Sequence, residues 1–298
     1  MRVFVTGATG FIGSAVTREL LGAGHEVVGL ARSDRSVQAL KAAGAEVHRG
    51  DLTDLDSLRR GAEAADGVAH LAFIHDFTDL GASGEADLRA IEAVGQVLEG
   101  TGKPFVVTSG LLTAPGHVGT EEDPADPASP GHHRLGSEVA ALALAERGVR
   151  SAVLRLPPSV HGEGDAGFVP MFIDFAREKG VSAMVGGGFN RWAAVHRLDA
   201  ARLFRLALEA APAGVRLHAI GDEGVAFREI AKTIGRGLGV PVASVAPEEA
   251  TDHFGWLGRF AAIDMRASAE LTQKLLGWRP EQPALIPDLE AGHYFKTV

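Results

Sequence analysis

The first thirteen residues constrain the fold more than any other part of the chain. The apolar run Val3-Phe4-Val5 predicts a short, buried β-strand. The glycine-rich stretch 6–13 follows it, and a helical pattern then covers 11–23. A strand, a tight turn and a helix N-terminus in this order present backbone N–H groups and the positive end of a helix dipole to an anion. The order therefore predicts a phosphate-binding turn at the start of the chain.

Three glycines in this turn favour a bound dinucleotide over a turn without a ligand. Gly7 permits the tight turn, Gly10 lets a pyrophosphate approach the backbone, and Gly13 lets the helix pack closely on the strand. Their spacing is G-x-x-G-x-x-G, which differs from the usual G-x-G-x-x-G fingerprint. The residues predicted to contact the ligand here are Gly7, Thr9, Gly10, Phe11, Ile12 and Gly13.

Composition excludes several other classes of function. The net charge of −9 argues against non-specific binding to nucleic acid or to an anionic membrane. The chain of 298 residues has no cysteine, so we expect no disulfide, no thiolate nucleophile and no cysteine-based metal site, and we predict no metal. Arg2 leads directly into the first strand and no long apolar run follows, so we expect neither a signal peptide nor a membrane span and place the protein in the cytoplasm.

The first half of the chain alternates between strand and helix patterns. Apolar bursts predict strands at 2–6, 26–30, 45–48, 67–72, 104–109 and 151–156. Helical patterns lie between them at 11–23, 34–43, 54–64, 85–100 and 132–147. This alternation predicts an α/β fold, a Rossmann-type doubly wound parallel sheet with helices on both faces. Ligands on such sheets bind at the carboxyl ends of the strands.

The alternation loosens after residue 156. Helices are predicted near 168–179, 199–211, 225–237, 247–260, 267–276 and 285–296, with short strands near 193–196, 215–220 and 242–245. We therefore expect a smaller mixed C-terminal lobe. Residues 1–156, with about 193–222, are assigned to the Rossmann domain, and 157–192 with 223–298 to the smaller substrate-binding lobe.

Residues 6–13 resemble the TGxxGxxG signature of the extended short-chain dehydrogenase/reductase superfamily. Segments 70–72, 157–162, 190–199 and 276–280 also resemble parts of that superfamily, so the resemblance spans nearly the whole chain. It implies a nicotinamide dinucleotide cofactor. It also implies a homodimer formed through two helices per subunit, one of them starting near His133.

The end of the second predicted strand favours NADP(H) over NAD(H). Ala31 stands where an acidic residue would bind the ribose 2′-hydroxyl and repel a 2′-phosphate. Arg32 and Ser33 follow and can donate hydrogen bonds to a 2′-phosphate. The alternative is an exposed arginine on a loop.

The resemblance assigns further residues to the cofactor. An Asp-hydrophobic pair after the third strand contacts adenine in the resembled enzymes, although Asp51 is equally interpretable as a turn residue before a helix that Thr53 or Asp54 caps. His70 lies inside a strand and is interpreted as structural. The residues that the resemblance places against adenine or nicotinamide are Asp51, Leu52, Leu71, Ala72, Pro157, Ser159 and Val160.

The proton-transfer residues depart from the resembled pattern. Those enzymes carry Tyr-x-x-x-Lys at the start of the helix that follows strand five, but the only tyrosine of this chain is Tyr294. By position, His133 falls on the tyrosine slot and Ser137 on the lysine slot. An imidazolium with an ordinary pKa near 6.5 is a competent acid, so His133 and Ser137 are predicted to be catalytic. A packing role for His133, or a one-residue shift that selects His132, are the alternatives.

Ser109, at the end of strand five, matches the residue that hydrogen-bonds the substrate carbonyl in the resembled enzymes, and it is the third predicted catalytic residue. A simple turn serine is the alternative. The asparagine that these enzymes carry in the preceding helix is absent from residues 85–100.

Substrate contacts are expected from loops and from the smaller lobe. The loop 73–77 is unusually apolar, so it either lines a substrate pocket or is buried under a neighbouring loop. The proline-rich segment 111–131 is interpreted as a flap, although its acidic run is also consistent with a solvated face. Asp199 is predicted to cap the following helix. The predicted substrate-binding residues are Phe73, His75, His161, Arg191 and Trp192.

Together these patterns predict an NADP(H)-dependent oxidoreductase that reduces a carbonyl or imine of a small, apolar molecule. Two alternatives stay open. The loss of tyrosine and lysine favours a non-catalytic NADP(H)-binding sensor. A sugar-nucleotide epimerase or dehydratase is weaker, because those enzymes use the missing tyrosine as well.

Overall fold

A seven-stranded sheet forms the centre of the molecule. The computed structural model describes residues 1–76, 78–114 and 116–296; Phe77 of the apolar loop and Pro115 of the proline-rich segment lie outside the described residues. The strands in these ranges are β1 (Arg2–Thr6), β2 (Glu26–Ala31), β3 (Glu46–Arg49), β4 (Gly67–His70), β5 (Pro104–Gly110), β6 (Val118–Gly119), β7 (Arg150–Leu156), β8 (Ser159–His161), β9 (Ser182–Val185), β10 (Arg191–His196), β11 (Val215–His218), β12 (Asp222–Ala226), β13 (Val242–Val245) and β14 (Arg266–Ala267).

Helices connect these strands and cover both faces of the large sheet. They are α1 (Phe11–Gly22), α2 (Asp34–Ala43), α3 (Leu55–Glu63), α4 (Leu80–Leu98), α5 (Leu135–Ala143), α6 (Phe168–Lys179), α7 (Arg197–Ala210), α8 (Phe227–Leu238), α9 (Ala250–Phe254), α10 (Gly258–Ala261), α11 (Glu270–Leu276) and α12 (Leu285–Glu290). Single 3₁₀ turns cover 132–134, 144–147, 247–249, 255–257 and 293–295. None of the helices in the described ranges is long and apolar enough to cross a membrane.

The strand order of the large sheet is β11-β7-β5-β4-β1-β2-β3, and every pairing in it is parallel. The order reverses between β1 and β4, because β1 continues to β2 on one side while β4 continues to β5 on the other. Ligands bind outside the carboxyl ends of the strands at such a switch point. The predicted Rossmann-type doubly wound sheet is therefore confirmed, and the ends of β1, β4 and β5 meet at one edge.

Burial on both faces explains why β1 reads as a continuous apolar run. Val3 and Val5 contact the apolar layer that contains α1 and α7, whereas Phe4 points into the opposite layer with α3, α4 and α5. All three side chains are fully buried. Burying a side chain of this size contributes about 1.5–3 kcal/mol, so the strand that carries the glycine turn is firmly held.

The smaller lobe has its own sheets and its own core. β8, β10 and β12 form a three-stranded sheet in which β10 runs parallel to β8 and antiparallel to β12, while β9 and β13 pair in parallel. The predicted smaller mixed lobe is thus confirmed. The proposed division near residues 156, 193 and 222 stays a prediction: β11 joins the large sheet, whereas β10 joins the small one.

Several elements differ from the predicted ones for local reasons. α4 begins five residues before the predicted 85, because the Asp79 carboxylate accepts a hydrogen bond from the N–H of Ala82 and caps the helix there. The predicted helix 247–260 is interrupted at Gly255, whose φ of +56° no helix contains. The predicted 132–147 helix is α-helical only over Leu135–Ala143 and has a 3₁₀ turn at each end.

The proline-rich segment is tied to the C-terminal part of the chain. β6 pairs with β14, and the buried Glu121 carboxylate accepts hydrogen bonds from Thr272 N and Thr272 Oγ1 at 2.7 and 2.6 Å. The prediction that the acidic run is a solvated face is therefore wrong for Glu121, which is 6% exposed. A role as a flap stays a prediction.

Asp199 does not cap α7, contrary to the prediction. α7 begins at Arg197, and His196 caps it by accepting a hydrogen bond from the N–H of Leu198. The Asp199 carboxylate instead accepts hydrogen bonds from the N–H groups of Glu281 and Gln282, both at 2.9 Å. It thereby anchors the C-terminal segment to α7.

Candidate active site

The glycine turn has the geometry of an anion cradle. Gly7 adopts a φ of +69°, and a Cβ there would lie 2.7 Å from the N of Ala72. A Cβ on Gly13 would lie 2.0 Å from the carbonyl oxygen of Gly7, so only glycine allows α1 to start so close to β1. Thr9 and Gly10 are exposed, and no side chain caps α1. The first N–H groups of α1 are therefore open to a phosphate, flanked by Phe11 and Ile12.

A chain of hydrogen bonds crosses the switch point behind this turn. Thr6 Oγ1, at the end of β1, accepts from the N–H groups of Leu71 and Ala72 at 3.2 and 3.1 Å. The Thr6 hydroxyl in turn donates its hydrogen to His70 Nδ1 at 3.0 Å. His70 therefore carries its own proton on Nε2, and this N–H donates to Asp87 Oδ1 at 3.0 Å. His70 is thus a structural link, as predicted, and it joins the glycine turn to α4.

Asp87 is a buried carboxylate that faces the predicted catalytic segment. Burial opposes its ionisation, but the hydrogen bond from His70 and the nearby charge of Arg134 outweigh that cost and lower the pKa of Asp87. The Ser137 hydroxyl lies beside the carboxylate and lowers its pKa further. Ser137, predicted to replace a ribose-binding lysine, is 2% exposed and lies against Asp87.

Arg134 places a guanidinium in the same space. Its Cζ lies 3.6 Å from the centre of the Phe73 ring, and Nη1 donates to the carbonyl oxygen of Thr108 at 3.4 Å. Burial lowers the pKa of Arg134, and Asp87 opposes that effect. Gly84 makes this position possible, because a Cβ there would lie 2.1 Å from the carbonyl oxygen of His133. α4 therefore brings Asp87 close to the turn that carries Arg134.

His133 lies next to this cation and is neutral at physiological pH. Its ring centre is 5.8 Å from that of Phe73, and Nδ1 is buried without a hydrogen-bond partner among the described residues. Burial, followed by the charges of Arg134 and His132, lowers the pKa of His133 to about 4. The expectation of an imidazolium near neutral pH is therefore wrong: desolvation and a neighbouring guanidinium disfavour the charged ring.

The other histidines of this region have different surroundings. Partial burial and Arg134 lower the pKa of His75 as well. The His132 Nδ1 lies 3.0 Å from the carbonyl oxygen of Ser129, which holds that ring against its own loop. Of the two adjacent histidines, His133 is the one that contacts Phe73.

Two serine hydroxyls near the ends of strands lack protein partners. Ser109 lies in β5, directly opposite Arg155 of β7, and Ser159 opens β8. Both are 3% exposed, and neither Oγ bonds to any other described group. Each of these two hydroxyls is therefore available to hydrogen-bond a ligand.

The predicted adenine end of the site is open. Arg32 and Ser33 follow β2 and are exposed. Ser33 also caps α2 by accepting a hydrogen bond from the N–H of Ser36 at 3.2 Å. Asp51 accepts bonds from Thr53 Oγ1 and N, and these, with the charge of Arg32, lower the pKa of Asp51. Arg32 and Asp51 are thus neighbours, and the turn-residue interpretation of Asp51 holds as well, with Asp54 as the helix cap.

The remaining predicted cofactor residues lie where β3, β4 and β7 end. Leu52 is 8% exposed, whereas Leu71 and Ala72 are half-buried directly after β4. Pro157 is buried between β7 and β8, and the side chain of Val160 is partly exposed. Whether each of them contacts a cofactor stays a prediction.

Two predicted substrate contacts lie inside the smaller lobe. Trp192 is fully buried among Phe168, Phe172 and Phe227, with ring centres 5.3 to 5.9 Å away. It is a core residue, so the prediction that it binds substrate is wrong: the apolar β10 turns it toward α6 and α8.

His161 is also fully buried, and its Nδ1 lies 2.8 Å from Asp288 Oδ2. Alternation along β8 places it on the same side as Ser159 and away from Val160. Its Nε2 is buried without a partner among the described residues, and its role with a substrate stays a prediction. Arg191 is exposed and donates to the carbonyl oxygen of Gly224 at 3.2 Å, and its role with a substrate stays a prediction.

Sequence reasoning missed Asp87 and Arg134. Asp87 had a signal: it occupies the same helical face as Ala90, Ile91 and Val94, and a carboxylate on an otherwise apolar face is rarely without function or partner. Arg134 had none beyond its position beside two histidines.

Comparisons with known proteins place the chain in a family. The model of the NAD-dependent epimerase/dehydratase family matches residues 3–220. An uncharacterized protein of Schizosaccharomyces pombe is 51% identical over 297 residues, covering 99% of this chain and 100% of that protein. The 2-alkyl-3-oxoalkanoate reductase of Stenotrophomonas maltophilia is 28% identical over 81% of this chain and 77% of its own length.

The fold agrees with solved structures. A dTDP-glucose 4,6-dehydratase from Streptomyces venezuelae, solved with NAD, superimposes with a TM-score of 0.80 at 23% identity, covering 99% of this chain and 96% of that one. Since the family model spans the glycine turn and all the strands of the large sheet, the chain belongs to the NAD-dependent epimerase/dehydratase family.

Proposed function

We propose that the protein is an NADP(H)-dependent oxidoreductase that reduces a carbonyl or imine carbon of a small, apolar substrate. The observation that carries this proposal is the open glycine cradle at the same sheet edge as the buried, unpartnered hydroxyl of Ser109. One binds a diphosphate and the other a polar atom, as a dinucleotide and its substrate require. The similarity to a reductase of 3-oxoalkanoates supports a carbonyl substrate.

The residues present fit a dinucleotide. Gly7, Gly10 and Gly13 leave the N-terminus of α1 free for the pyrophosphate, since a Cβ at the first or last of them would collide with backbone. Arg32 and Ser33 are exposed at the end of β2, where a ribose 2′-phosphate would lie. When bound, the nicotinamide would supply the hydride that this chemistry needs.

Ser109 and His133 then have separate roles at the substrate oxygen: Ser109 polarises the bond and His133 supplies the proton. The Ser109 hydroxyl donates to the carbonyl oxygen and polarises the bond. When the carbon accepts a hydride, the electron pair of the C=O bond moves onto that oxygen. The neutral His133 hydrogen-bonds this oxygen through its N–H and passes the proton to it as the negative charge develops. The resulting imidazolate regains a proton from water, which leaves hydroxide in solution. The half-buried position of His133 gives its ring access to water for this exchange.

A substrate screen tests the catalytic part of the proposal. NADPH oxidation is followed by the absorbance of the reduced nicotinamide, with a panel of aldehydes, imines and ketones that includes 3-oxo acids. We expect turnover by the wild-type protein and losses of about 100-fold in kcat/KM for Ser109→Ala. His133→Ala is expected to lose turnover while His132→Ala, the matched neighbour, retains it. Tight NADPH binding without turnover of any class would instead favour a non-catalytic sensor.

Thermal unfolding tests the choice of cofactor. NADPH should raise Tm more than NADH at equal concentration, because only the former offers a 2′-phosphate to Arg32. Arg32→Ala should remove that difference, whereas Arg89→Ala, at an exposed site on α4, should leave it unchanged. Equal shifts by both cofactors in the wild-type protein would contradict the assignment to NADP(H).

A homodimer through α4 and α5 is part of the same proposal. α5 exposes Gly136, Val139 and Ala143 on one face, and Val139 is 59% exposed although it is apolar. Val139→Glu should shift the sedimenting species from dimer to monomer, while Val118→Glu, an exposed valine elsewhere, should not.

A further inference from the structure

We propose that Arg134 is the cationic anchor of this site, that its guanidinium donates hydrogen bonds to oxygen acceptors of the bound ligands, and that Asp87 is the positioning residue that holds it there. The acceptors are either the ribose hydroxyls of the dinucleotide or the reacting oxygen of the substrate. The ribose hydroxyls are uncharged, and the substrate oxygen gains negative charge during the reaction. This inference rests on the proposed function for the identity of the ligands.

The first argument is the unused donor capacity of Arg134. A guanidinium has five N–H donors, yet in the described structure Arg134 makes one hydrogen bond, a long one of 3.4 Å to the carbonyl oxygen of Thr108. One face of the group is covered by the Phe73 ring at 3.6 Å. A half-buried charge with few hydrogen bonds is costly, and its cost falls when oxygen acceptors bind to it.

The second argument is that Asp87 fixes Arg134 without consuming it. The two side chains interact electrostatically, yet no nitrogen–oxygen distance between them falls within the 4.0 Å of an ion pair. Asp87 Oδ1 is already bound to His70 Nε2, which Thr6 holds from the other side. The carboxylate therefore attracts the guanidinium toward α4 without forming a hydrogen-bonded ion pair with it.

The third argument is that the neighbouring histidines do not supply a competing charge. Arg134 contributes to lowering the pKa of both His75 and His133. Both rings are thus kept neutral near pH 7, and Arg134 is a fixed positive charge next to them, bonded to the carbonyl oxygen of Thr108. A fixed donor is suited to an oxygen that gains charge during the reaction, because no proton has to move first.

The test compares Arg134→Gln and Arg134→Lys with Arg89→Gln, a change at an exposed arginine of α4. NADPH affinity is measured by fluorescence titration, and kcat/KM with the best carbonyl substrate of the screen. Arg134→Gln should weaken NADPH binding about 10-fold or more if the acceptors are ribose hydroxyls. It should instead lower kcat/KM about 100-fold at unchanged affinity if they belong to the substrate. Arg134→Lys keeps the charge without the planar fork and should recover part of either loss.

The titration of His133, followed by NMR of its ring protons, tests the positioning role independently of any ligand. Arg134 lowers the pKa of His133 and Asp87 raises it. Arg134→Gln should therefore raise that pKa and Asp87→Asn should lower it, whereas a general loosening of the segment would move both toward the ordinary value of about 6.5.

Outcomes separate this inference from the proposed function. Wild-type NADPH binding and turnover that Arg134→Gln leaves unchanged would overturn the role of Arg134 alone. Absence of NADPH binding by the wild-type protein would overturn both. Should Arg134→Gln not fold, Arg134→Lys decides: affinity and kcat/KM equal to those of Arg89→Gln would refute the anchor.

Discussion

The glycine turn at residues 6–13 is built differently from residues 132–138, which we call the reacting segment after their proposed role. The turn is made of backbone: the N–H of Gly10 donates to the carbonyl oxygen of Gly7 at 2.9 Å, and a Cβ on Gly13 would collide with that same oxygen. The reacting segment is made of side chains whose partners come from distant elements, Asp87 on α4 and Thr108 on β5. A local, backbone-made site leaves a sequence signature, whereas an assembled site leaves almost none.

The two regions nevertheless depend on each other. Thr6 belongs to the glycine turn, and through His70 it fixes the carboxylate of Asp87. Each region also depends on one glycine that lets two backbones meet, Gly13 in the turn and Gly84 under the reacting segment. Substitutions that destabilise one region but leave the structure of the other intact therefore measure how strongly the two regions are coupled.

The largest loss of stability is expected when the buried ion pair between α5 and β7 is broken. The buried Glu138 carboxylate accepts hydrogen bonds from Arg155 Nε at 3.0 Å and from Arg216 Nε at 3.0 Å. Arg155→Met would leave Glu138 buried with weakened compensation and should cost about 3–5 kcal/mol of unfolding free energy, measured in urea.

Arg147→Met is the matched control, because the ion pair of Arg147 with Glu99 is exposed, and its loss should be below about 1 kcal/mol. The double variant Glu138→Leu/Arg155→Met should recover much of the stability. A loss for Arg155→Met as small as that of the control would contradict the view that this pair holds the reacting helix.

The difference between the regions also explains what the sequence could predict. Periodicity and turn chemistry are local, so they predicted the strand, turn and helix around Gly7 and the doubly wound parallel sheet that the alternation of strands and helices implies. Trp192 was misassigned because an aromatic residue in a short strand looks the same in sequence whether it faces a pocket or a core; only the packing of Phe172 and Phe227 decides.

The reacting segment was predicted less well for a similar reason. The sequence shows that His133 exists, but its neutral state comes from burial and from Arg134. The approach of Arg134 to Asp87 requires α4 to pass under the 132–134 turn, which the absence of a Cβ at Gly84 permits. No spacing rule links positions so far apart in the chain.

The next largest loss of stability is expected when a methyl group is added at either of the two close-packed glycines. Gly13→Ala and Gly84→Ala each place a Cβ about 2 Å from a carbonyl oxygen, so each should cost about 1–3 kcal/mol in urea unfolding. Gly13→Ala should also weaken NADPH binding, whereas Gly84→Ala should move the ring resonances of His133. Gly22→Ala, at a helix position with nothing within 4 Å, should be neutral or stabilising. If Gly84→Ala behaved like Gly22→Ala, the contact that positions Arg134 would be refuted.

A smaller effect follows from the neutral state of His133. Its pKa falls from about 6.5 in the unfolded chain to about 4 in the folded one, so between these values the unfolded state binds more protons. The stabilising difference is complete above pH 6.5 and is lost as pH falls toward 4. His133→Asn should therefore reduce the change in unfolding free energy between pH 6.5 and pH 4 by about 1 kcal/mol, after allowance for the ring's partial exposure. The wild-type-minus-variant difference cancels the other histidines; a difference that stayed constant between pH 4 and 7 would contradict the shift.

The smallest change in stability is expected at Ser33, beside the predicted cofactor site. This residue caps a helix and is also predicted to bind the cofactor. Ser33 caps α2 through the N–H of Ser36, so Ser33→Ala should cost about 0.5–1 kcal/mol of unfolding free energy. Ser33→Asp keeps a good cap and should restore that stability, but its carboxylate would repel a 2′-phosphate. It should therefore weaken NADPH binding about 10-fold relative to NADH. Because the two substitutions separate capping from ligand binding, equal cofactor affinities in Ser33→Asp and wild type would move the 2′-phosphate away from Ser33 and leave Arg32 as its sole predicted partner at this strand end.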